Sequence, residues 1–244
     1  MGDLYYILGH WGLILQVVAI VHFIRRRPNF FWLWIILIGG GLGAIVYFAM
    51  EILPDMVLLK GSFGFFERRQ KIQKLEDLIQ QNPSAGNYEE LADLYLEDKN
   101  YKRALECYNQ AISARTDSLD PFYRRGVCKV ELGQFADAVP DLERVVEKDP
   151  KYDFFRAQGL LAHAYAKTNQ PDRAEALFKN ALETSTMSET MYNYGQFLLA
   201  QGRKPEAKEW AERILSKRAA MPGYLKRRER PWFRKASSLR SQAS

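Results

Sequence analysis

N-Y-E-E-L-A-D-L-Y-L-E-D-K-N-Y-K-R-A-L-E-C-Y-N-Q-A (Asn87–Ala111) decides the fold, because its pattern returns 34 residues later as F-Y-R-R-G-V-C-K-V-E-L-G-Q-F-A-D-A-V-P-D-L-E-R-V (Phe122–Val145). The same residue classes recur in phase. An aromatic (Tyr88, Phe122) is followed by a small residue (Ala92, Gly126), a second aromatic (Tyr101, Phe135) and an alanine (Ala104, Ala138). A fixed period near 34 marks a helix pair that buries its apolar face only by stacking on copies of itself.

The alanine of the second helix continues through Ala174 and Ala207, at spacings of 34, 36 and 33. Small residues let paired helices approach while Tyr and Phe fill the space between pairs. The pattern over 85–218 resembles the tetratricopeptide repeat (TPR) family, which implies an α-solenoid of about four helix pairs with a concave groove lined by each first helix. The groove residues so implied are Glu89 and Asp93, then Tyr123, Arg124 and Val127, then Arg156, Leu160 and His163, and finally Tyr192, Asn193 and Gln196. That set predicts a groove acidic at its first end and more basic or polar beyond. The carboxylate clamp of chaperone-binding members uses Lys and Asn where Glu89 and Asp93 stand, so an acidic C-terminal peptide is not the expected ligand. Other proteins, bound through the groove, are.

Outward from the array the composition changes. Residues 4–24 and 30–50 carry no formal charge, and about 20 apolar helical residues cover a hydrocarbon core of roughly 30 Å. Both segments are apolar on every side, which predicts a two-span transmembrane hairpin over 1–54. Arg25-Arg26-Arg27-Pro28, Trp34, the glycines between Gly39 and Gly43, Tyr47 and Glu51 resemble the N-terminal membrane hairpin of phospholipase D-type cardiolipin synthases. The resemblance implies a shared anchor in a bacterial-type inner membrane, and as an alternative role a non-catalytic accessory subunit or inactive relative in phospholipid synthesis. It carries no chemistry across. Those enzymes use His-x-Lys motifs, and His10, His22 and His163 are followed two residues on by Gly12, Ile24 and Tyr165. Gly39-x-x-x-Gly43 fits close packing of two spans, or dimerisation through the same face. Arg25–Arg27 on one side, and Lys60, Arg68, Arg69 and Lys71 on the other, balance under the positive-inside rule, leaving the side of the array open.

Residues 55–84 read as a linker with an amphipathic capping helix, Ile72, Leu75, Leu78 and Ile79 being spaced by threes and fours. The net charge of +6 is concentrated in the tail, where nine Lys/Arg between Lys217 and Arg240 face Glu229 as the one acid. Pro222, Gly223 and Pro231 predict that 219–244 is disordered. Lys226, Arg227, Arg228, Trp232 and Phe233 are its candidate contacts with anionic lipid; nucleic acid is not expected as a partner. There is no phosphate-binding glycine loop, no H-E-x-x-H and no C-x-x-C. No catalytic residue, metal or cofactor is expected. The whole is an all-α chain whose expected role is a membrane-anchored scaffold.

Overall fold

The computed structural model describes the backbone of residues 2–26, 29–52, 60–114 and 118–244, and side chains from residue 12 onward except 26–28, 52–66, 115–117 and 224. Helices account for the secondary structure of these residues, which form two compact units, Met1–Lys71 and Ile72–Ser244.

In the first unit, α1 (Gly2–Arg26) lies against α2 (Phe31–Ile38) and α3 (Gly40–Tyr47), which a π-helical turn (Phe48–Ile52) extends. Ala19, Ile36, Ala44 and Tyr47 form a small core. The second apolar segment is divided at Gly39, where the expected unbroken helix is absent. Among the described residues no helix is long and apolar enough to cross a membrane. The glycines explain the break. A Cβ on Gly43 would stand 1.9 Å from the Ile35 carbonyl oxygen, and Gly40 has φ +53°, so the chain kinks where a side chain would clash or be strained. Gly39 and Gly43 thus serve the kink. The close approach between helices runs through Gly12 and Gly41, where a Cβ on Gly41 would lie 3.0 Å from the Gly12 Cα. Polar groups between the helices pair with each other: Gln16 Nε2 donates to the Ile36 carbonyl (3.0 Å), and His22 Nδ1 lies 2.9 Å from the Tyr47 hydroxyl.

The second unit holds the four expected pairs: α5 (Ala85–Glu97) with α6 (Tyr101–Ser113), α7 (Asp120–Glu131) with α8 (Phe135–Lys148), α9 (Arg156–Lys167) with α10 (Pro171–Thr184), and α11 (Ser188–Ala200) with α12 (Lys204–Ala220). Every pair closes through one left-handed residue, Lys99, Gly133, Asn169 and Gly202, repeating the 34, 36, 33 spacing of the alanines. After each, an N–H returns to a carbonyl five residues back: Asn100 to Tyr95, Gln134 to Lys129, Gln170 to Tyr165 and Arg203 to Leu198, at 2.8–3.0 Å. That bond satisfies a helix-end carbonyl and fixes the reversal. Ala104, Ala138, Ala174 and Ala207 are all fully buried.

A second repeating device lies across the pairs. Tyr95 donates to Glu76 (2.5 Å), and Arg103 reaches both Glu76 (3.3 Å) and the Tyr95 oxygen (3.1 Å). Tyr165, Glu143 and Arg173 repeat the arrangement in register, and Tyr194, Glu175 and Arg203 make a similar set of contacts from other repeat positions. Each clasp joins one helix to the pair that follows it. Glu76 belongs to α4 (Lys60–Gln81), which therefore occupies the place of a second helix before the first pair, with Leu75 buried beside Leu91, Ala92 and Tyr95.

The tail corrects the sequence expectation. It is a helix, α13 (Gly223–Gln242), with Pro231 inside it. Proline in a helix interior costs about 3 kcal/mol. Burial of Phe233, Ala236 and Leu239 along the same helix, and of Ala243 at its end, outweighs that cost. Pro231 itself is exposed, where its ring meets solvent.

Candidate partner-binding groove

The first helices α5, α7 and α9 bring a continuous line of paired charges to one face. Asp93 accepts from the Tyr108 hydroxyl (2.5 Å) and from Arg124 Nη1 (3.0 Å). Arg124 Nε lies 3.8 Å from Asp120, which also accepts from Tyr152. The Tyr123 hydroxyl donates to Asp153 and accepts from Arg156 Nη1 (3.2 Å), and Arg156 Nε reaches Glu189 at 2.6 Å. Acid and base alternate along the groove. Beyond the first repeat the expected basic character is offset, because Arg124 and Arg156 are each neutralised by a carboxylate from a neighbouring repeat; at the first end Glu89, Asp93 and Asp120 lie close together, as an acidic end requires.

Burial shapes this line. It works against the charge of Arg156, but the Glu189 hydrogen bond and charge outweigh it and raise the pKa. Burial pushes the Tyr123 and Tyr108 phenols up, so both remain donors. Glu89 is raised by burial and by Asp93 and Asp120 nearby. The Arg124 pairs are half-exposed, and such pairs stabilise little (about 0–1 kcal/mol). Their effect is to hold the guanidinium in place.

Two cavities open along the line. One of 410 Å³ is lined by Leu96, Tyr123, Arg124, Val127, Tyr152 and Arg156 among others. The second, of 920 Å³, carries Phe154, Met187, Met221, Leu225 and Trp232 on its walls, and the two meet at Asp153 and Arg156. The wall between α8 and α9 is unusual. Asp153, Phe154 and Phe155 have φ of 49°, 53° and 67°, three non-glycine residues in the left-handed region, each costing about 1–3 kcal/mol. This turn leaves Phe154 81% exposed on the rim.

Of the sequence candidates, Tyr123, Arg124, Val127 and Arg156 line the first cavity, and Asp93 is tied to them through Arg124. Leu160 and Asn193 are buried. Tyr192 faces α13, its ring 5.9 Å from Trp232. Gln196 is half-buried and lines neither cavity. The sequence candidates did not include Asp120, Tyr152, Asp153 or Glu189.

His163 stands edge-on to Phe135, centroids 5.3 Å apart, away from both cavities. Burial, with Lys167 and Lys235 adding to it, lowers its pKa from 6.5 to about 4. Between those values the unfolded chain binds a proton that the folded chain excludes, so the stability from this group is full above pH 6.5 and is lost as the pH falls toward 4. Urea midpoints measured against pH should therefore fall less steeply over that window in His163→Gln than in the wild type; equal slopes would contradict the burial.

Burial raises Cys107 to about 11 and Cys128 to about 12, so both thiols are protonated at neutral pH. No group of three His, Cys, Asp or Glu side chains among the described residues is placed to hold a metal ion.

The lipid candidates separate onto two faces of α13. Arg228 and Trp232 border the larger cavity, while Lys226 and Arg227 border a different cleft whose floor holds Phe233. Phe233 is 7% exposed, packed with Met191, Ile214 and Ala236, and Lys235 lies 4.3 Å over the Trp232 ring. Packing therefore takes up the Phe233 ring, while Trp232 is half-buried and faces the larger cavity.

The chain matches the tetratricopeptide repeat family over residues 89–153 and 160–223, more than half its length, and a second tetratricopeptide repeat pattern over 129–187. Among solved structures, it is similar to YrrB, described as a TPR protein with an unusual peptide-binding site: 22% identity over 65% of this chain and 81% of that one, TM-score 0.54. MamA of Desulfovibrio magneticus RS-1 shares 19% over 67% and 89%, TM-score 0.53. PilW, a widely conserved type IV pilus biogenesis factor, shares 18% over 79% and 92%, TM-score 0.54. At these identities the likeness is one of fold. The repeat pattern, the left-handed turns and the family match converge: the chain belongs to the tetratricopeptide repeat family.

Proposed function

We propose that the groove binds an extended polypeptide segment of a partner protein, and that the chain acts as a scaffold. The observation that carries this is the pair of cavities, 410 and 920 Å³, that share Asp153 and Arg156 in their walls, volume enough for several residues of a polypeptide. Fixed, neutralised side chains suit recognition of backbone and polar groups, because little entropy is lost when they are engaged. Phe154 and Val127 add apolar contact. Site-directed photocrosslinking along the groove tests the reading.

The scaffold is anchored at a bacterial-type inner membrane through residues 1–54. Support comes from where apolar surface lies: among the described residues, all the exposed large apolar side chains but Leu78 and Phe154 fall between Leu13 and Met50. A surface of that kind facing water is costly and marks an apolar environment, and the pairing of Gln16 and His22 within the helices fits it. Removal of residues 1–54 should move the protein from the alkaline-carbonate-resistant membrane pellet to the supernatant. A full-length chain extracted by carbonate would contradict the anchor.

A further inference from the structure

A cleft of 720 Å³ separates α12 from the outer face of α13. Arg218 of α12 and Lys226, Arg227, Arg230, Arg234 and Arg240 of α13 line it, and no carboxylate does. Among the described residues none of the six forms an ion pair. The two groove arginines that line the smaller cavity, Arg124 and Arg156, differ in this respect, since both are paired with carboxylates. On α13 the cations follow helical spacing along one stripe, about 20 Å long at 1.5 Å per residue. Like charges so close repel one another, and a bound anion would relieve that repulsion. Leu215, Phe233 and the Ser237 hydroxyl complete the lining.

We propose that this cleft docks onto anionic phospholipid, its arginines taking the lipid phosphates. Arg gives paired N–H donors to phosphate oxygens, and a straight cationic stripe matches a flat array of headgroups. The rival polyanion, single-stranded nucleic acid, is held by stacking bases on exposed rings. Phe233, the ring in the cleft, is 7% exposed and already packed. The apolar surface between Leu13 and Met50 puts lipid within the chain's own setting; this setting rests on the anchored reading, whereas the binding does not.

The test is backbone hydrogen exchange of the full chain in neutral detergent micelles, with phosphatidylglycerol or phosphatidylcholine added to the micelles. Micelles reach any face of the protein, so failure of the anchor does not affect the result. Phosphatidylglycerol should slow exchange in α13 by about tenfold, with no change in α5–α11, and high salt should abolish the effect. Arg230→Glu with Arg234→Glu should remove the protection while leaving α13 exchange in phosphatidylcholine as in the wild type, both residues being exposed. Equal exchange in the two lipids, or protection that survives the double variant, would overturn the proposal. So would equal protection by millimolar inorganic phosphate, which assigns a free-anion site. Stronger protection by single-stranded RNA or polyglutamate at equal charge would assign the cleft to a different class of partner.

Discussion

Phe178→Ala is expected to lower the free energy of unfolding by about 3–5 kcal/mol, the range for truncating a fully buried phenylalanine. Phe178 is 0% exposed on α10, its ring 5.2 Å from Tyr194 and 6.0 Å from Phe197 of the following pair. It is therefore an interface residue between repeats as much as a core residue. Repeat arrays are held by terms within each repeat and terms between neighbours. Loss of this ring weakens the coupling of α9–α10 to α11–α13. Denaturation of the full chain in neutral detergent should show a lower midpoint and a broader transition, with α11–α13 exchanging amide hydrogens first. Phe178→Leu, which keeps most of the volume, should cost less than the alanine variant. An unchanged midpoint in Phe178→Ala would mean that α10 and α11 are not packed as described.

Asp141→Ala is expected to cost a similar amount, by a different route. Asp141 is 3% exposed, yet it carries two cations: Arg125 binds it through Nε (2.8 Å) and Nη2 (2.5 Å), and Lys129 Nζ lies at 2.7 Å. Removal of the carboxylate leaves both cations mostly buried and uncompensated, which costs about 3–5 kcal/mol. Lys129 stands where Tyr95 and Tyr165 stand in other repeats, so the second repeat has no tyrosine clasp at that position, and this trio ties α7 to α8 within the pair instead. Replacement of all three by apolar residues of similar volume should restore most of the stability, because the charges then need no desolvation. A triple variant as unstable as Asp141→Ala would contradict that account.

The residues that fixed the fold in the sequence were those acting at short range. Ala104, Ala138, Ala174 and Ala207 pack within a pair, and Gly133 and Gly202 turn the chain between its helices. Both functions depend on residue type at a fixed position, and a period exposes them. Lys99 and Asn169 hold the same left-handed conformation without glycine; the period finds them where residue type does not. Tyr123, Arg124, Val127 and Arg156 were legible for the same reason, as fixed offsets from the repeat aromatics.

The alternation of charge was not legible, because its partners are distant in sequence. Tyr123 with Asp153 and Arg156 with Glu189 are pairs 30 and 33 residues apart, and no local pattern joins them. The role of α4 left a trace: Leu75-Glu76 repeats Leu142-Glu143, and both glutamates hold a clasp tyrosine. The helical tail failed for a physical reason. Local propensity, dominated by Pro231, was set against tertiary burial of Phe233, Ala236 and Leu239, and burial prevailed.

The central claim is that the face built by α5, α7 and α9 is where a partner binds. A photoreactive residue placed at Leu96 or Arg124 in the full chain, and at Glu106 on the exposed face of α6 as the control, tests it directly. After irradiation of living cells, the two groove positions should yield the same discrete polypeptide adduct, and Glu106 should yield none. Equal adducts at Glu106, or no adduct at either groove position, would contradict the claim.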